Sequence, residues 1–308
     1  MQQGLTVITP GPLTLIQDLG RFGLQHQGLT SGGAMDEVAA RWANRLLGND
    51  ANAPLLEITL GHLEVVANVA SWIAITGAEC DLRINGAAKC NWSVHSVMPS
   101  DRIKLGWSRS GVRVYLAVVG GFRVVPELGS VATVVREQMG GLDGKPIEAG
   151  MLLPCDDSRI TFNGVPAVPF RYRPDYDETP LRLRLIPGYQ FSAVEDGAVA
   201  ALLSEPYKIL PQSDRMGYRL QGAPVISGLN AIHSEGVTYG VVQVPPDGQP
   251  IVLMKDRQTI GGYPKLGSIL PLDLYQLSQR RAGQMVLFEL ISLQEAQQLM
   301  VKYAQFFD

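Results

Sequence analysis

Two stretches of this sequence repeat one pattern. The first is "GVRVYLAVVGGFRVVPELGS", from Gly111 to Ser130, and the second is "GQPIVLMKDRQTIGGYPKLGS", from Gly248 to Ser268. Each opens with glycine and a short apolar run, passes through Gly-Gly and an aromatic residue, and closes on Leu-Gly-Ser. Self-similarity at so long a period predicts two domains built on one plan.

Weaker echoes extend the repeat over most of the chain. "LLEITLGHLEV" resembles "MGYRLQGAPVI", and "IEAGMLLP" resembles "RRAGQMVLF". The stretch between the two copies is rich in proline and charge, which is typical of an interdomain linker. We therefore expect a first domain over residues 1–165, a linker over residues 166–180 and a second domain over residues 181–308.

Local patterns indicate a mainly β fold with a few short helices. Short apolar runs recur between turn signals, and the chain holds 33 Gly and 20 Pro, which together favour barrels or sandwiches. One stretch has helical spacing and a glycine suited to a C-terminal cap, at Met35, Val38, Trp42, Leu46 and Gly48. Ser192 with Glu195, and Ser292 with Glu295, have the spacing of capping boxes.

Composition excludes several classes of protein. The net charge is −3 with no basic stripe, which argues against nucleic-acid binding. No apolar run is long enough to span a bilayer, and residues 1–10 lack the pattern of a signal peptide. The three cysteines form no Cys-x-x-Cys pair, so we expect buried free thiols in a cytoplasmic protein.

Common catalytic motifs are missing from the sequence. "GGLDGKP", from Gly140 to Pro146, has proline where a phosphate loop needs serine or threonine, so we interpret it as a turn. The four histidines are too scattered to suggest a metal site.

Polar residues concentrate in three stretches. In the first, Asp18 and Arg21 flank a glycine turn, and Ser31 precedes a predicted helix whose N–H groups suit an anion. The alternative is that this segment is purely structural. In the second, Arg215 and Arg219 have the chemistry of a bidentate anion clamp. Their alternative is an ion pair with Asp214 or Glu235.

The third stretch is rich in amide and hydroxyl side chains, which both donate and accept hydrogen bonds and so suit a small ligand with carbonyl and N–H groups. Its candidates for ligand contact are Glu235, Gln243, Gln249, Asp256, Gln258, Thr259 and Tyr263. Within this set Asp256 is either a general base or the partner of Lys255 or Arg257. We take Asp256, Arg215 and Gln258 as the candidate catalytic residues.

These same stretches resemble a known family. "QDLGRFG", "SGGAMD", "SDRMGYRLQG" and "VVQVPPDGQPIVLMKDRQTIGGYPK" are similar to the allophanate hydrolase subunit 2 family. That family includes the carboxyltransferase-related part of urea carboxylase and the C subunit of ATP-dependent 5-oxoprolinase, whose length this chain matches. The resemblance covers essentially the whole chain and implies two tandem cyclophilin-like β-barrels.

The resemblance also implies a function. A C subunit would form a direct complex with the B subunit of 5-oxoprolinase. Together they would use ATP, with Mg²⁺, to activate 5-oxoproline, and the A subunit would complete ring opening to L-glutamate. One alternative is a biotin-dependent carboxyltransferase, although Met254-Lys255 is followed by Asp256 and is not a biotin attachment site. Another is a regulatory protein that antagonises a kinase inhibitor.

The chain departs from the family pattern at two positions of its first half. Val131 stands where relatives often have arginine, and Met151 stands where they tend to have aspartate. We therefore expect the first domain to lack part of the family's polar site.

Overall fold

The computed structural model describes residues 3–158, 160, 162, 164–226 and 233–307. Its contacts divide the chain into two compact units. Unit 1 comprises Met1–Phe22 and Ser31–Tyr176, and unit 2 comprises Gly23–Thr30 and Asp177–Asp308. The short segment 23–30 therefore belongs to the unit formed by the second half of the sequence.

Unit 1 is built on an antiparallel sheet of nine strands among its described residues. In chain order they are β1 (Gly4–Thr9), β2 (Leu13–Gln17), β3 (Leu55–Thr59), β4 (Glu64–Ala67), β5 (Ser71–Ile84), β6 (Ala87–Lys89), β7 (Ser93–Val97), β8 (Arg102–Val118) and β9 (Leu152–Pro154). The main path runs β2-β3-β8-β4-β1-β9, and β5 pairs with β6, β7 and β8.

The long pair β5–β8 shows how the sequence places the core of unit 1. At the start of β8, buried and exposed residues alternate, as expected for a strand with one solvated face. From Arg113 to Val118 every residue of β8 is buried or half-buried. This half of the sheet lies beside helix α1 (Glu37–Leu47), because the Thr76 hydroxyl of β5 donates to the Ala39 carbonyl at 2.7 Å.

Helix α1 confirms the helical spacing in the sequence. The Asp36 carboxylate caps its N-terminus by accepting from the Ala39 N–H at 3.1 Å. Gly48 ends it with φ of +69°, a left-handed conformation that glycine adopts without strain.

Unit 2 contains a closed barrel of seven strands in the order β10-β17-β14-β15-β12-β11-β18. A separate two-strand ribbon pairs β13 with β16. The strands are β10 (Leu181–Pro187), β11 (Tyr207–Ile209), β12 (Gly217–Gln221), β13 (Glu235–Gly236), β14 (Val241–Gln243), β15 (Ile251–Leu253), β16 (Ile260–Gly261), β17 (Lys265–Ile269) and β18 (Met285–Leu290). The helices are α2 (Asp196–Ser204), α3 (Pro271–Leu277) and α4 (Leu293–Phe307).

This architecture confirms the predicted fold class of a mainly β protein with a few short helices. The two sheets differ in detail, since β1 pairs with β9 antiparallel whereas β10 pairs with β18 parallel. Across the described residues, no helix has the length and apolar character needed to cross a membrane.

Two local predictions need correction. The capping box at Ser192 is wrong, because α2 begins at Asp196 and no side chain caps it. The expectation of buried thiols holds for Cys80 and Cys155 but not for Cys90, which is exposed at a turn. The Ser292–Glu295 box is confirmed, since the Glu295 N–H donates to the Ser292 hydroxyl at 3.2 Å and the carboxylate accepts the Ser292 N–H at 3.1 Å.

Candidate functional site

The charged triplet after β15 is buried in unit 2. Lys255, Asp256 and Arg257 are 5%, 8% and 5% exposed. Arg215 holds Asp256 in a two-point pair, with Nε donating to Oδ2 at 2.8 Å and Nη2 donating to Oδ1 at 2.9 Å. Each Asp256 carboxylate oxygen therefore accepts one charge-assisted hydrogen bond from Arg215.

This pair corrects the partners expected from the sequence. The structure pairs Arg215 with Asp256, whereas the sequence suggested Asp214 or Glu235 as the partner of Arg215 and Lys255 or Arg257 as the partner of Asp256. Asp214 instead accepts from the Met216 and Gly217 N–H groups at 2.7 and 3.2 Å, which shapes the turn before β12.

The two cations of the triplet have their own contacts in unit 2. The Lys255 ammonium lies 4.7 Å from the ring centroid of Tyr239, a cation–π geometry. The Arg257 carbonyl accepts from the Thr30 hydroxyl at 2.6 Å, and its guanidinium donates to the Met254 carbonyl at 3.3 Å. Burial lowers the pKa of Arg257, because removing water disfavours the charged form. These contacts fix the loop after β15 within unit 2.

Arg219 lies in a different environment from Arg215. Its side chain is exposed on β12 and lines a groove of about 290 Å³ together with two other predicted residues, Gln249 and Tyr263. Gln249 is fixed there because its amide accepts from the Gly222 N–H at 2.9 Å and donates to the Gly222 carbonyl at 3.3 Å. Arg215, only 7% exposed, is not among the residues that line this groove.

Two more predicted residues, Gln243 and Gln258, meet beside the β13–β16 ribbon, and a third, Thr259, pairs with its backbone. Gln243 on β14 is 1% exposed, and its Oε1 accepts from Gln258 Nε2 at 3.3 Å. The Thr259 carbonyl accepts from the Val237 N–H at 3.0 Å, which ties the ends of the ribbon together. Gly261 of β16 lies against the Gln243 amide.

Glu235 joins a polar network at the edge of this ribbon. Its carboxylate accepts from the Tyr189 hydroxyl at 2.5 and 2.7 Å and forms an ion pair with the Lys265 ammonium at 2.9 Å. Gln190 bridges the network by donating to Glu235 at 3.0 Å and accepting from the Lys265 N–H at 2.6 Å. The Tyr189 hydrogen bond, followed by Lys265, lowers the pKa of Glu235.

Tyr189, Gln190 and Lys265 were missed from the sequence. A signal for each was present. Tyr189 and Gln190 directly follow the Pro-Gly of "LIPGYQFSA", which echoes "ITPGPLTLI" in the first half. Lys265 closes the specific "GGYPK" motif.

In unit 1 the predicted residues Asp18 and Arg21 form hydrogen bonds to the loop at residues 127–131. The Asp18 carboxylate accepts from the Ser130 hydroxyl at 2.7 Å and from the Val131 N–H at 2.8 Å. Arg21 donates to the carbonyls of Glu127 and Ser130 at 3.0 and 3.3 Å, while its own N–H donates to the Ser31 carbonyl at 2.6 Å. These contacts account for the burial of Asp18, Arg21 and Ser31.

Three N–H groups at the start of α1, where the sequence predicts an anion site, donate to protein acceptors. The Met35 N–H donates to the Glu57 carboxylate at 2.8 Å, and the Asp36 N–H donates to the Tyr115 hydroxyl at 2.7 Å. Since the Ala39 N–H bonds the Asp36 carboxylate, all three donors already have protein partners.

The two departures from the family pattern lie in the core of unit 1. Val131 is 2% exposed within the main hydrophobic cluster, and Met151 packs against the same cluster. Both positions are therefore filled by apolar side chains that contribute to packing.

The Gly140–Pro146 segment is a turn, as predicted. The Gly140 N–H donates to the Glu127 carboxylate at 2.9 Å, and the Gly141 and Gly144 N–H groups donate to backbone carbonyls at 2.8 Å. These donors are occupied within the protein and do not form a phosphate cradle. No cluster of three or more metal-binding side chains occurs in the part of the chain that the structure describes.

Comparison with known proteins defines the class. The family described as carboxyltransferase domain, subdomain A and B, matches residues 27–290. The chain belongs to this carboxyltransferase-domain family, which agrees with its barrel in unit 2 and with the motifs around Asp256 and Gln243.

Individual relatives show which proteins of this kind the chain is similar to. The chain is 39% identical to the C subunit of 5-oxoprolinase from Escherichia coli strain K12 over 297 residues, which cover 95% of this chain and 93% of that protein. A crystal structure of TTHA0988 is 35% identical, with a TM-score of 0.83, and this chain covers 55% of it, about half its length. The Kluyveromyces lactis urea carboxylase shares the fold, with a TM-score of 0.92 at 24% identity, over all of this chain and 29% of its own.

Proposed function

We propose that this chain is the C subunit of an ATP-dependent 5-oxoprolinase, the complex that opens 5-oxoproline to L-glutamate. The observation that carries the proposal is the 39% identity to the C subunit of the E. coli 5-oxoprolinase across nearly the full length of both chains. The site in unit 2 supports it, because the Gln243–Gln258 pair provides amide groups that suit the ring amide of 5-oxoproline.

The proposed reaction begins with a resonance-stabilised amide. The lactam oxygen attacks the γ-phosphorus of ATP, and ADP leaves. Water then adds to the ring carbon of the resulting imidate-type phosphate, and the carbon–nitrogen bond breaks to free the amine and leave an acyl phosphate. A second water attacks the same carbon, and inorganic phosphate departs with the former lactam oxygen to leave the carboxylate of L-glutamate. The protein contributes positioned donors and cations rather than a covalent nucleophile.

Unit 2 offers groups for each part of this substrate. Gln243 and Gln258 would contact the amide, and Lys265 or Arg219 would supply positive charge for the carboxylate or the phosphate. Lys265 is the better placed of the two cations, because β14 and β17 pair Gln243 directly with Lys265. Thr259 would act through its backbone, which holds the ribbon over Gln243.

ATP and Mg²⁺ are assigned to the complex rather than to this chain alone. The Gly140, Gly141 and Gly144 N–H groups already have partners within the chain, which supports a nucleotide site completed by a second protein. We propose that the B subunit of the enzyme binds this chain directly and completes the nucleotide site, and that Mg²⁺ is held through the phosphates. The A subunit then completes ring opening in the cytoplasm.

The test is reconstitution with one protein of the complex omitted at a time. We expect 5-oxoproline-dependent release of ADP and glutamate from the three purified proteins, and loss of both when this chain is left out. A complete complex without 5-oxoproline-dependent ATP hydrolysis would refute the proposal. Full turnover by this chain alone would refute its dependence on partners.

A second candidate function is carboxyl transfer from biotin. The fold shared with K. lactis urea carboxylase favours it. It requires a biotin carrier on another protein. Bicarbonate-dependent ATP hydrolysis that avidin inhibits would select this function, whereas activity insensitive to avidin selects the lactam reaction.

A further inference from the structure

Only the oxygen of the Gln243 amide has a hydrogen-bond partner among the described residues. Its Oε1 accepts from Gln258 at 3.3 Å, whereas its Nε2 is buried without a hydrogen-bond acceptor among the described residues. Buried donors without partners are rare in folded proteins and each one lowers stability. Gln243 is 1% exposed, so bulk solvent does not supply the missing acceptor.

The orientation of the amide follows from its neighbour. Because Gln258 donates to Oε1, the opposite edge of the Gln243 amide must present N–H groups. Gln258 thereby selects which kind of atom Gln243 can bind: an acceptor oxygen and not another donor.

No side chain from residue 261 covers this edge, because that residue is glycine. A Cβ on Gly261 would lie 2.4 Å from Gln243 Nε2 and 3.3 Å from a methyl of Val237. Val237, Val241 and Leu253 form an apolar cluster on the same side of β14. A buried donor beside a small apolar surface has the composition of a small-molecule subsite.

We infer that Gln243 Nε2 donates a hydrogen bond to an acceptor oxygen of the bound ligand, with Gln258 as the positioning residue and Gly261 as the residue that keeps the subsite open. The inference rests on the proposed function only for the choice of ligand: 5-oxoproline offers a lactam oxygen and a carboxylate as acceptors. The binding test below decides which of these two groups accepts the hydrogen bond from Gln243.

The first measurement is made without ligand. Gln243→Met keeps the length and volume of the side chain and removes the unmatched donor. We expect the Tm of the free chain to be unchanged or about 2 °C higher, because the buried donor lowers stability in the wild type. A Tm several degrees lower would mean that the amide stabilises the free protein, and would overturn the inference.

The second measurement is ligand affinity, by calorimetry on the reconstituted complex without ATP. We expect Gln243→Met to weaken binding of 5-oxoproline about tenfold, the usual effect of one lost hydrogen bond. Gly261→Ala should weaken it similarly. The matched control is Gly236→Ala on the paired strand, where a Cβ meets no atom within 4 Å and binding should not change.

L-Proline identifies the oxygen, since it has the ring and the carboxylate but no lactam oxygen. If Gln243→Met weakens the binding of 5-oxoproline alone, Gln243 donates to the lactam oxygen. If it weakens the binding of both compounds, Gln243 donates to the carboxylate. Gln258→Glu should reproduce the same pattern with Gln243 intact, because its carboxylate cannot donate to Oε1 and would accept the hydrogen bond from Nε2 once the Gln243 amide turns over. Unchanged affinity in all these variants would overturn the inference.

Failure of the inference is distinguishable from failure of the proposed function. If the wild-type complex binds neither compound, the proposed function fails, and the Tm of Gln243→Met alone decides the role of Gln243. If the wild type binds 5-oxoproline and Gln243→Met binds it equally well, the proposed function stands and the inference falls.

Discussion

Arg215 and Arg219 lie four positions apart, yet the structure gives their side chains different surroundings. Arg215 is buried and makes a two-point pair with Asp256, whereas Arg219 is exposed at the groove with Gln249 and Tyr263. The sequence suggested both as parts of one anion clamp. It could not indicate the Asp256 pair, because 41 residues separate the partners and no local spacing relates them.

We expect Arg215→Lys to lower stability more than turnover. Lysine places a point charge where two parallel hydrogen bonds exist, so at least one charge-assisted bond is lost, at about 1.5–3 kcal/mol. Melting curves should show a Tm several degrees lower, while the folded fraction keeps its specific activity. The control is Arg219→Lys, whose Tm should match the wild type. A normally stable Arg215→Lys variant with strongly reduced turnover would restore the anion-clamp hypothesis.

The three cysteines should differ in reactivity with pH. Burial raises the pKa of the Cys80 thiol to about 12 and that of Cys155 to about 11. A raised thiol pKa means that the reactive thiolate forms only in strongly alkaline solution, so both thiols are neutral at pH 8. Mass spectrometry after iodoacetamide treatment of the native chain at pH 8 should find Cys90 alkylated and the other two intact. Equal labelling of all three in the folded chain would contradict the burial.

Convergence of the third polar stretch could be predicted from residue type only in part, because Gln249 and Tyr263 line a separate groove and Asp256 pairs with Arg215. Gln243 and Gln258 do meet, and Glu235 and Thr259 belong to the ribbon that covers them. Lys265 and Tyr189 were missed because each enters the network through strand pairing or a turn whose position only the folded barrel defines.

At the scale of elements, the same Ser-x-x-Glu spacing forms a capping box at one helix and none at another. Ser292 and Glu295 form a reciprocal box at the start of α4. Ser192 instead lies in the short 3₁₀ turn Phe191–Ala193, and α2 starts four residues later. The spacing alone does not fix the first helical residue, because Glu195 adopts an extended conformation before α2.

These two serines give a matched test of capping. We expect Ser292→Ala to destabilise unit 2 by about 1 kcal/mol, since the Glu295 N–H loses its acceptor. Ser192→Ala should change the free energy of unfolding by less than about 0.5 kcal/mol, as for an exposed residue without a special contact. Urea denaturation of both variants measures the difference. An equal loss in the two variants would contradict a start of α2 at Asp196.

At the scale of the molecule, the internal repeat predicted two β-rich domains, and the structure shows a mainly β chain with a closed barrel in its second half. No sequence pattern indicated that residues 23–30 belong to unit 2. That assignment depends on contacts such as Thr30 with Arg257, which are 227 residues apart and leave no local pattern.

The central claim is that this chain takes part in ATP-driven activation of a lactam, and the fate of the lactam oxygen tests it most directly. The reconstituted complex would be given 5-oxoproline labelled with oxygen-18 at the lactam carbonyl, together with ATP, and the products analysed by mass spectrometry. Because phosphorylation occurs on that oxygen and phosphate later departs with it, we predict one oxygen-18 atom in each inorganic phosphate released. Label retained wholly in the glutamate carboxylate would contradict the account.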